Sequence, residues 1–246
     1  MSEYEILWVA DDNNRRDYRD RQLYANSKGA VAYIEGHHNS KVYTVDVDGD
    51  GVKDMDAVGV ADNPTMVLVC DNASQTSRDM GTYFATECAK VFDVPLYGND
   101  GLLVLKQGDR AYYNLFYTSM KAVLLEPLWV SDGDLAILAQ SEDAQDKIAQ
   151  IIVNMVRKFF PDGGLIAMSV GHMFKASAPY DRGAPVVGTK GQLGEADLTK
   201  PYLLKAAKLL VDGTNITDPP ETGGPGEVGG GSWRVSGTFK GTITKV

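Results

Sequence analysis

The chain has 246 residues, and its 24 Lys and Arg against 33 Asp and Glu give a formal net charge of −9. This acidic balance argues against a nucleic-acid or membrane-surface partner, because phosphate groups are neutralised by clustered basic side chains. Two cysteines are too few for a disulfide scaffold, and no apolar run reaches the roughly 18 residues that span a membrane.

Short apolar runs alternate with longer amphipathic segments, and this pattern is typical of an α/β fold. We predict a mainly parallel, twisted sheet with helices on both of its faces. The predicted strands are residues 6–10, 31–34, 66–70, 102–105, 122–125 and 165–170. The predicted helices are residues 15–27, 76–92, 143–160 and 198–211, and Ser141 caps the third of them.

The composition changes after the last predicted helix. Residues 213–232 are rich in proline and glycine and are predicted to be a linker. Residues 233–246 alternate apolar and polar side chains, which indicates a short β-hairpin. We therefore predict one folded domain over residues 1–212, followed by a linker and a small β appendage.

The chain has three histidines, and all of them follow predicted strands. His37 and His38 come after the strand over residues 31–34, and His172 comes after the strand over residues 165–170. Ligand sites in parallel α/β sheets form at the carboxyl ends of strands, so both segments point to the same edge. The alternative is that each is an ordinary hydrogen-bonded surface histidine.

Four short motifs contain these histidines or accompany them, and their predicted structural contexts are compatible with one another. They are Gly171-His172 with Asp181, Gly183, Ala184 and Glu195; Arg21 with Ala25 and Asn26; His37 with Asn39; and Glu126 at a strand end before the helix over 143–160. Together they resemble the zinc-dependent N-acetylmuramoyl-L-alanine amidases. The resemblance covers most of residues 1–212.

The resemblance implies an activity and a set of site residues. His172, Glu195 and His37 would bind a catalytic zinc ion that keeps a fourth position open. Glu126 would be the general base, and the reaction would be hydrolysis of the peptidoglycan amide between N-acetylmuramic acid and L-alanine. His38 could replace His37 as a ligand, although the His-x-Asn spacing favours His37.

The order of these residues differs from the order in the family. The family has the first histidine, the glutamate ligand, the second histidine and then the catalytic glutamate, whereas this chain has His37, Glu126, His172 and Glu195. Moving residues 165–212 in front of residue 5 restores the family order, so we predict a circular permutation. The strand over 165–170 should then lie in one sheet with 6–10 and 31–34. An exchange of segments between neighbouring copies is the alternative.

Three departures from the family pattern lie next to the predicted site. Met173-Phe174 follows the second histidine where the family has glycines, and Pro127 follows Glu126. Glu35-Gly36 precedes His37 where the family prefers a small polar residue and an aliphatic one. These departures affect the expected substrate details more than the expected zinc binding.

An acidic segment forms a candidate calcium loop. Its carboxylates occupy positions 1, 3, 5 and 9 of the calcium-binding pattern, with Gly51 at the turn, and they are Asp46, Asp48, Asp50 and Asp54. Position 12 is Ala57 instead of a glutamate, so an acidic hairpin tip explains the segment equally well.

The resemblance and the tailed layout together suggest a biological setting. The first residues lack the features of a secretory signal, so we expect a phage endolysin or virion-associated enzyme that acts on the cell wall, or otherwise a cytoplasmic protein. The C-terminal tail would attach it to a virion or another assembly. The alternatives are an inactive structural virion protein with this fold and a zinc peptidase of other specificity.

Overall fold

The computed structural model describes residues 3–11, 14, 16–40, 42–45, 54–57, 63–175 and 178–213. Three of the candidate calcium ligands, Asp46, Asp48 and Asp50, lie outside the described residues, as does the side chain of Asp54. The same holds for the predicted appendage over 233–246 and for residues 214–232 of the predicted linker. The predictions on these segments therefore stay predictions.

The described residues contain ten strands and five α-helices. The strands are β1 (Tyr4–Ala10), β2 (Ala32–Gly36), β3 (Val42–Val45), β4 (Asp54–Ala57), β5 (Met66–Cys70), β6 (Leu102–Leu105), β7 (Lys121–Glu126), β8 (Gly164–Val170), β9 (Met173–Lys175) and β10 (Ala178–Asp181). The helices are α1 (Tyr18–Ser27), α2 (Gln75–Phe92), α3 (Gly133–Gln140), α4 (Glu142–Phe159) and α5 (Glu195–Asp212), with a 3₁₀ turn at Tyr112–Asn114.

Six strands form the central sheet in the order β1-β8-β2-β7-β5-β6. β8 lies between β1 and β2 and is parallel to both, which confirms the predicted placement of the strand over 165–170. β7 is parallel to β2. The predicted α/β class with a mainly parallel sheet is therefore confirmed.

β5 and β6 run in the opposite direction to the other four strands. β5 is antiparallel to β7, with Met66 paired to Glu126, and β6 is parallel to β5. No described helix crosses the sheet between β2 and β5, and the β3–β4 hairpin occupies part of that interval. The chain therefore enters β5 from the edge at which β2 ended.

Helices cover both faces of the sheet, as predicted. On one face, α2, α4 and α5 bury apolar side chains against residues such as Ile34, Val123 and Ile166. On the other face, α1 and the segment around Tyr112 and Leu115 cover the alternate strand residues. Among the described helices, none has the length and apolar composition that a bilayer crossing requires.

The helix boundaries follow from local capping groups. Asp17 accepts a hydrogen bond from the Tyr18 backbone N–H at 2.9 Å, so α1 begins three residues later than predicted. Ser141 caps α4 as predicted, and its hydroxyl accepts from the Ala144 N–H at 3.1 Å. α5 begins at Glu195, three residues earlier than predicted. α3 and the β9–β10 hairpin were not predicted.

Candidate metal centre

Three strands deliver candidate site residues to one edge of the sheet. His37 directly follows β2, His172 follows β8 after a single glycine, and Glu126 is the last residue of β7. These strands are mutually parallel, so their carboxyl ends coincide. Glu195 reaches the same edge from the first turn of α5. The fold therefore collects residues that are far apart in the sequence.

His37, His172 and Glu195 form a compact cluster. Glu195 Oε1 lies 2.8 Å from His37 Nδ1 and 2.9 Å from His172 Nε2. The three candidate ligand atoms lie within 4.8 Å of one another, and the histidine ring centroids are 5.1 Å apart. Two imidazoles and one carboxylate form a donor set that suits a divalent metal such as zinc. The two histidines meet within one chain, so no exchange of segments between copies is needed.

The electrostatics of the cluster favour a positive charge on His37 and a negative charge on Glu195. Burial disfavours the charged imidazole of His37, but hydrogen bonds to Glu195 and Glu35 raise its pKa to about 10. Burial also opposes ionisation of Glu195, yet contacts with His172 and His37 hold the pKa of its carboxyl well below the usual range. In the absence of a cation, a proton on the His37 imidazole therefore balances the charge of the buried carboxylate.

The outer nitrogens of both histidines face carboxylates. His172 Nδ1 lies 3.0 Å from Asp181 Oδ2, and the other oxygen of Asp181 accepts from the Gly183 N–H at 3.0 Å. His37 Nε2 lies 3.1 Å from Glu35 Oε1. Metal-binding histidines commonly have such partners, which fix the tautomer and the orientation of the ring.

The turn that carries His172 has an unusual backbone. His172 and Met173 have φ angles of 61° and 48°, values that glycine adopts at lower cost than other residues. Arg21 supports this turn from α1, since its Nη2 donates to the His172 carbonyl at 2.6 Å and to the Phe174 carbonyl at 2.8 Å. Strain of this kind persists where the surrounding contacts hold the segment in place.

Two glycines make room for the clustered side chains. A Cβ atom at Gly171 would lie 2.3 Å from His37 Nε2, and one at Gly183 would lie 2.5 Å from Glu195 Cγ and 2.6 Å from His172 Cδ2. Real Cβ atoms do not approach neighbours so closely. Larger residues at either position would therefore displace the candidate ligands.

Glu126 lies beside the cluster without belonging to it. Gly36 pairs with Leu125, so the residues that follow them, His37 and Glu126, extend from neighbouring strands at the same level. Burial raises the pKa of Glu126 to about 8, and the charge of His37 offsets part of this effect. Its Oε2 is buried and has no hydrogen-bond partner among the described residues. Such a carboxyl can exchange protons near neutral pH.

His38 is buried and lies outside the cluster. Its ring packs edge-on against Tyr202, with 5.6 Å between the ring centroids. Burial lowers its pKa to about 4, so this imidazole is neutral at physiological pH. Tyr202 also donates from its hydroxyl to the His37 carbonyl at 3.0 Å. The structure thus brings His37, and not His38, into contact with Glu195.

Two features of the structure are not predicted by the sequence. The sequence marks Glu35 only as a departure from a motif, whereas in the structure its side chain contacts His37. A separate surface cavity of about 360 Å³ contains none of the candidate ligands and is lined by Asp17, Tyr18, Arg19, Asp20, Tyr113 and Tyr117. Neither feature has a sequence pattern that identifies it without the fold.

No protein-family profile and no curated protein matches the chain. Among solved structures, it is similar to the catalytic domain of an N-acetylmuramoyl-L-alanine amidase from Bacillus (Paenibacillus) polymyxa, at 20% identity and a TM-score of 0.47, over 64% of this chain and 73% of that one. An N-acetylmuramoyl-L-alanine amidase from Clostridium difficile has 17% identity and a TM-score of 0.44, over 60% and 67% of the two chains. The N-acetylmuramyl-L-alanine amidase of Mycobacterium smegmatis has 16% identity and a TM-score of 0.42, over 58% and 59%.

Proposed function

We propose that the protein is a zinc-dependent N-acetylmuramoyl-L-alanine amidase. The observation that carries this proposal is the convergence of His37, His172 and Glu195, which lie on three separate elements and bring their ligand atoms within 4.8 Å. The motifs that contain these residues support the choice of an amidase over other zinc enzymes, since they resemble those of the amidase family.

His37 Nδ1, His172 Nε2 and Glu195 would hold the metal. When bound, zinc supplies a Lewis acid that polarises an amide carbonyl and activates water. Glu126 removes the proton from the attacking water and delivers it to the leaving amine nitrogen. Its Oε2 is buried and has no hydrogen-bond partner among the described residues, so it is available to accept and return a proton.

The surrounding residues keep this constellation in place. Asp181 orients His172 through its outer nitrogen, and Arg21 holds the backbone of the same turn. Tyr202 fixes the backbone of His37 from α5. Because these partners come from three different elements, the ligands are positioned by the packed fold and not by a single loop.

A digestion experiment tests the proposal. The full chain, loaded with zinc, should release stem peptides with a free L-alanine amino group from purified peptidoglycan, without new reducing sugar ends. A chelator should stop the release, and added zinc should restore it. Cleavage inside the stem peptide would instead indicate a zinc peptidase. Zinc binding without any cleavage would indicate a structural protein that keeps the fold.

We also propose that the chain is a circular permutation of the amidase order. The position of β8 between β1 and β2 supports this proposal, because residues 164–170 complete the sheet beside strands that precede them by more than a hundred positions. The register from Tyr4–Gly164 to Trp8–Met168 is continuous. Such rearrangement is tolerated when new ends open in exposed loops.

A reordered chain should fold and retain activity. The chain would consist of residues 164–213, a short flexible linker and residues 4–161, so that the ligands follow the family order. We expect the same helical content, zinc stoichiometry and peptide release as in the native order. A second reordered chain, cut inside β7, serves as the control and should not fold. Failure of both chains to fold would contradict the permutation.

A further inference from the structure

We propose that Glu35 is a positioning residue that fixes which nitrogen of His37 binds the metal. This inference rests on the proposed zinc site and adds to it a residue outside the ligand set. It concerns the contact of 3.1 Å between Glu35 Oε1 and His37 Nε2.

The Glu35 carboxylate is fully buried and held at both oxygens. Oε2 accepts from the Tyr33 hydroxyl at 2.6 Å and from the Ser169 hydroxyl at 3.2 Å. Oε1 accepts from the Asn114 side-chain amide at 2.7 Å, beside its contact with His37. The donors come from β2, β8 and the 3₁₀ turn, so the carboxylate cannot rotate away without losing several hydrogen bonds at once.

The contact with Glu35 determines which ring nitrogen of His37 is free to bind the metal. A neutral imidazole carries one proton, so one nitrogen donates and the other offers a lone pair. The Glu35 carboxylate accepts a hydrogen bond from Nε2–H, so the proton stays on Nε2 and the lone pair is on Nδ1. Nδ1 is the nitrogen that lies 2.8 Å from Glu195 Oε1 and so faces the candidate metal position. Glu35 thus selects the productive tautomer.

Two possible roles of Glu35 lead to different expectations. A purely structural role predicts that Glu35 matters only for packing and hydrogen bonding in the buried network. A positioning role predicts, in addition, that the charge of Glu35 affects metal affinity through His37 and increases the basicity of its imidazole.

Zinc affinity in Glu35→Gln separates the two roles. The amide preserves the size and one of the two acceptor oxygens but removes the charge, so we expect zinc binding about 10–100-fold weaker in a competition with a chromogenic chelator. Tyr33→Phe is the matched control, because it removes a hydrogen bond to Oε2 and leaves the contact between Oε1 and His37. This control should bind zinc nearly as tightly as the native protein.

A second measurement uses the native sequence, so it does not depend on the folding of a variant. In zinc-loaded protein with ¹⁵N-labelled histidine, we expect the proton of His37 on Nε2, slowly exchanging with solvent, and the metal on Nδ1. A proton on Nδ1 would overturn the inference, and so would equal zinc affinity in the native protein and Glu35→Gln. If the native protein bound no zinc, the proposed function itself would fail.

Discussion

Glu126→Gln is expected to reduce peptide release from peptidoglycan by about 10²–10⁴-fold, the usual contribution of a general acid–base group. An amide has the size of the carboxyl but cannot accept and return the proton of the attacking water. Glu126 lies outside the cluster of candidate ligands, so the variant should bind zinc with unchanged stoichiometry. Peptide release from purified peptidoglycan and metal analysis of the same sample measure both effects.

The same substitution should stabilise the metal-free protein. The folded-state pKa of Glu126 is about 8, above its ordinary value of 4.5, so the native state keeps a proton that the unfolded chain loses. The stability associated with this proton is complete below pH 4.5 and is lost as the pH rises to about 8. With chelator present, the free energy of unfolding of Glu126→Gln should exceed that of the native protein at pH 8, and the difference should nearly vanish at pH 4.5.

Glu142→Gln is a suitable control for the loss of activity. Glu142 lies in the first turn of α4, where its side chain is 80% exposed and lies 3.5 Å from Lys205. It is not part of the cluster of candidate ligands, so its substitution should leave peptide release unchanged. Near-native activity in Glu126→Gln would remove Glu126 from the mechanism, and loss of zinc would make it a ligand.

The positions of the two histidines are predictable from the sequence for a simple physical reason. His37 and His172 each follow an apolar run, and parallel strands place their carboxyl ends at one edge of the sheet. Glu195 is less accessible to such reasoning. The apolar pattern places the start of the last helix at residue 198, whereas the structure begins α5 at Glu195 itself. Only the motif resemblance singled out this glutamate.

The direction of β5 is not contained in its sequence. Met66–Cys70 is fully buried and uniformly apolar, so it has no pattern that distinguishes a parallel from an antiparallel neighbour. The direction depends on the path of the chain between β2 and β5. Among the described residues of that path there is the β3–β4 hairpin and no helix that crosses the sheet. The sequence indicates a hairpin there only as the alternative to a calcium loop.

The burial of Glu35 likewise cannot be predicted from the sequence. A glutamate near a strand end normally indicates a solvent-exposed edge. Here the carboxylate is buried because Tyr33, Ser169 and Asn114 supply donors from segments that are distant along the chain. Only the folded arrangement brings these donors together, so a sequence pattern can register Glu35 as an exception but cannot give its partners.

The second large effect is expected when a candidate ligand is removed. His172→Ala and His37→Ala should each lower the zinc content from about one ion per chain to a small fraction, because two remaining protein ligands do not retain the ion. Peptide release should fall with it. Zinc binding to the folded state also stabilises that state by mass action. In either variant, added zinc should therefore no longer raise the thermal unfolding temperature.

His38→Ala is the control that distinguishes the two neighbouring histidines. Its ring packs on Tyr202 and is not part of the cluster of candidate ligands, so we expect zinc content near one ion per chain even if the loss of buried volume lowers the unfolding temperature. The dependence of that temperature on zinc should persist, since it reports the metal site and not the packing. If His38→Ala lost zinc while His37→Ala kept it, the assignment of the first ligand would move by one residue. If both His37→Ala and His172→Ala kept stoichiometric zinc, the metal would have to lie elsewhere, and the proposed mechanism would be lost with it.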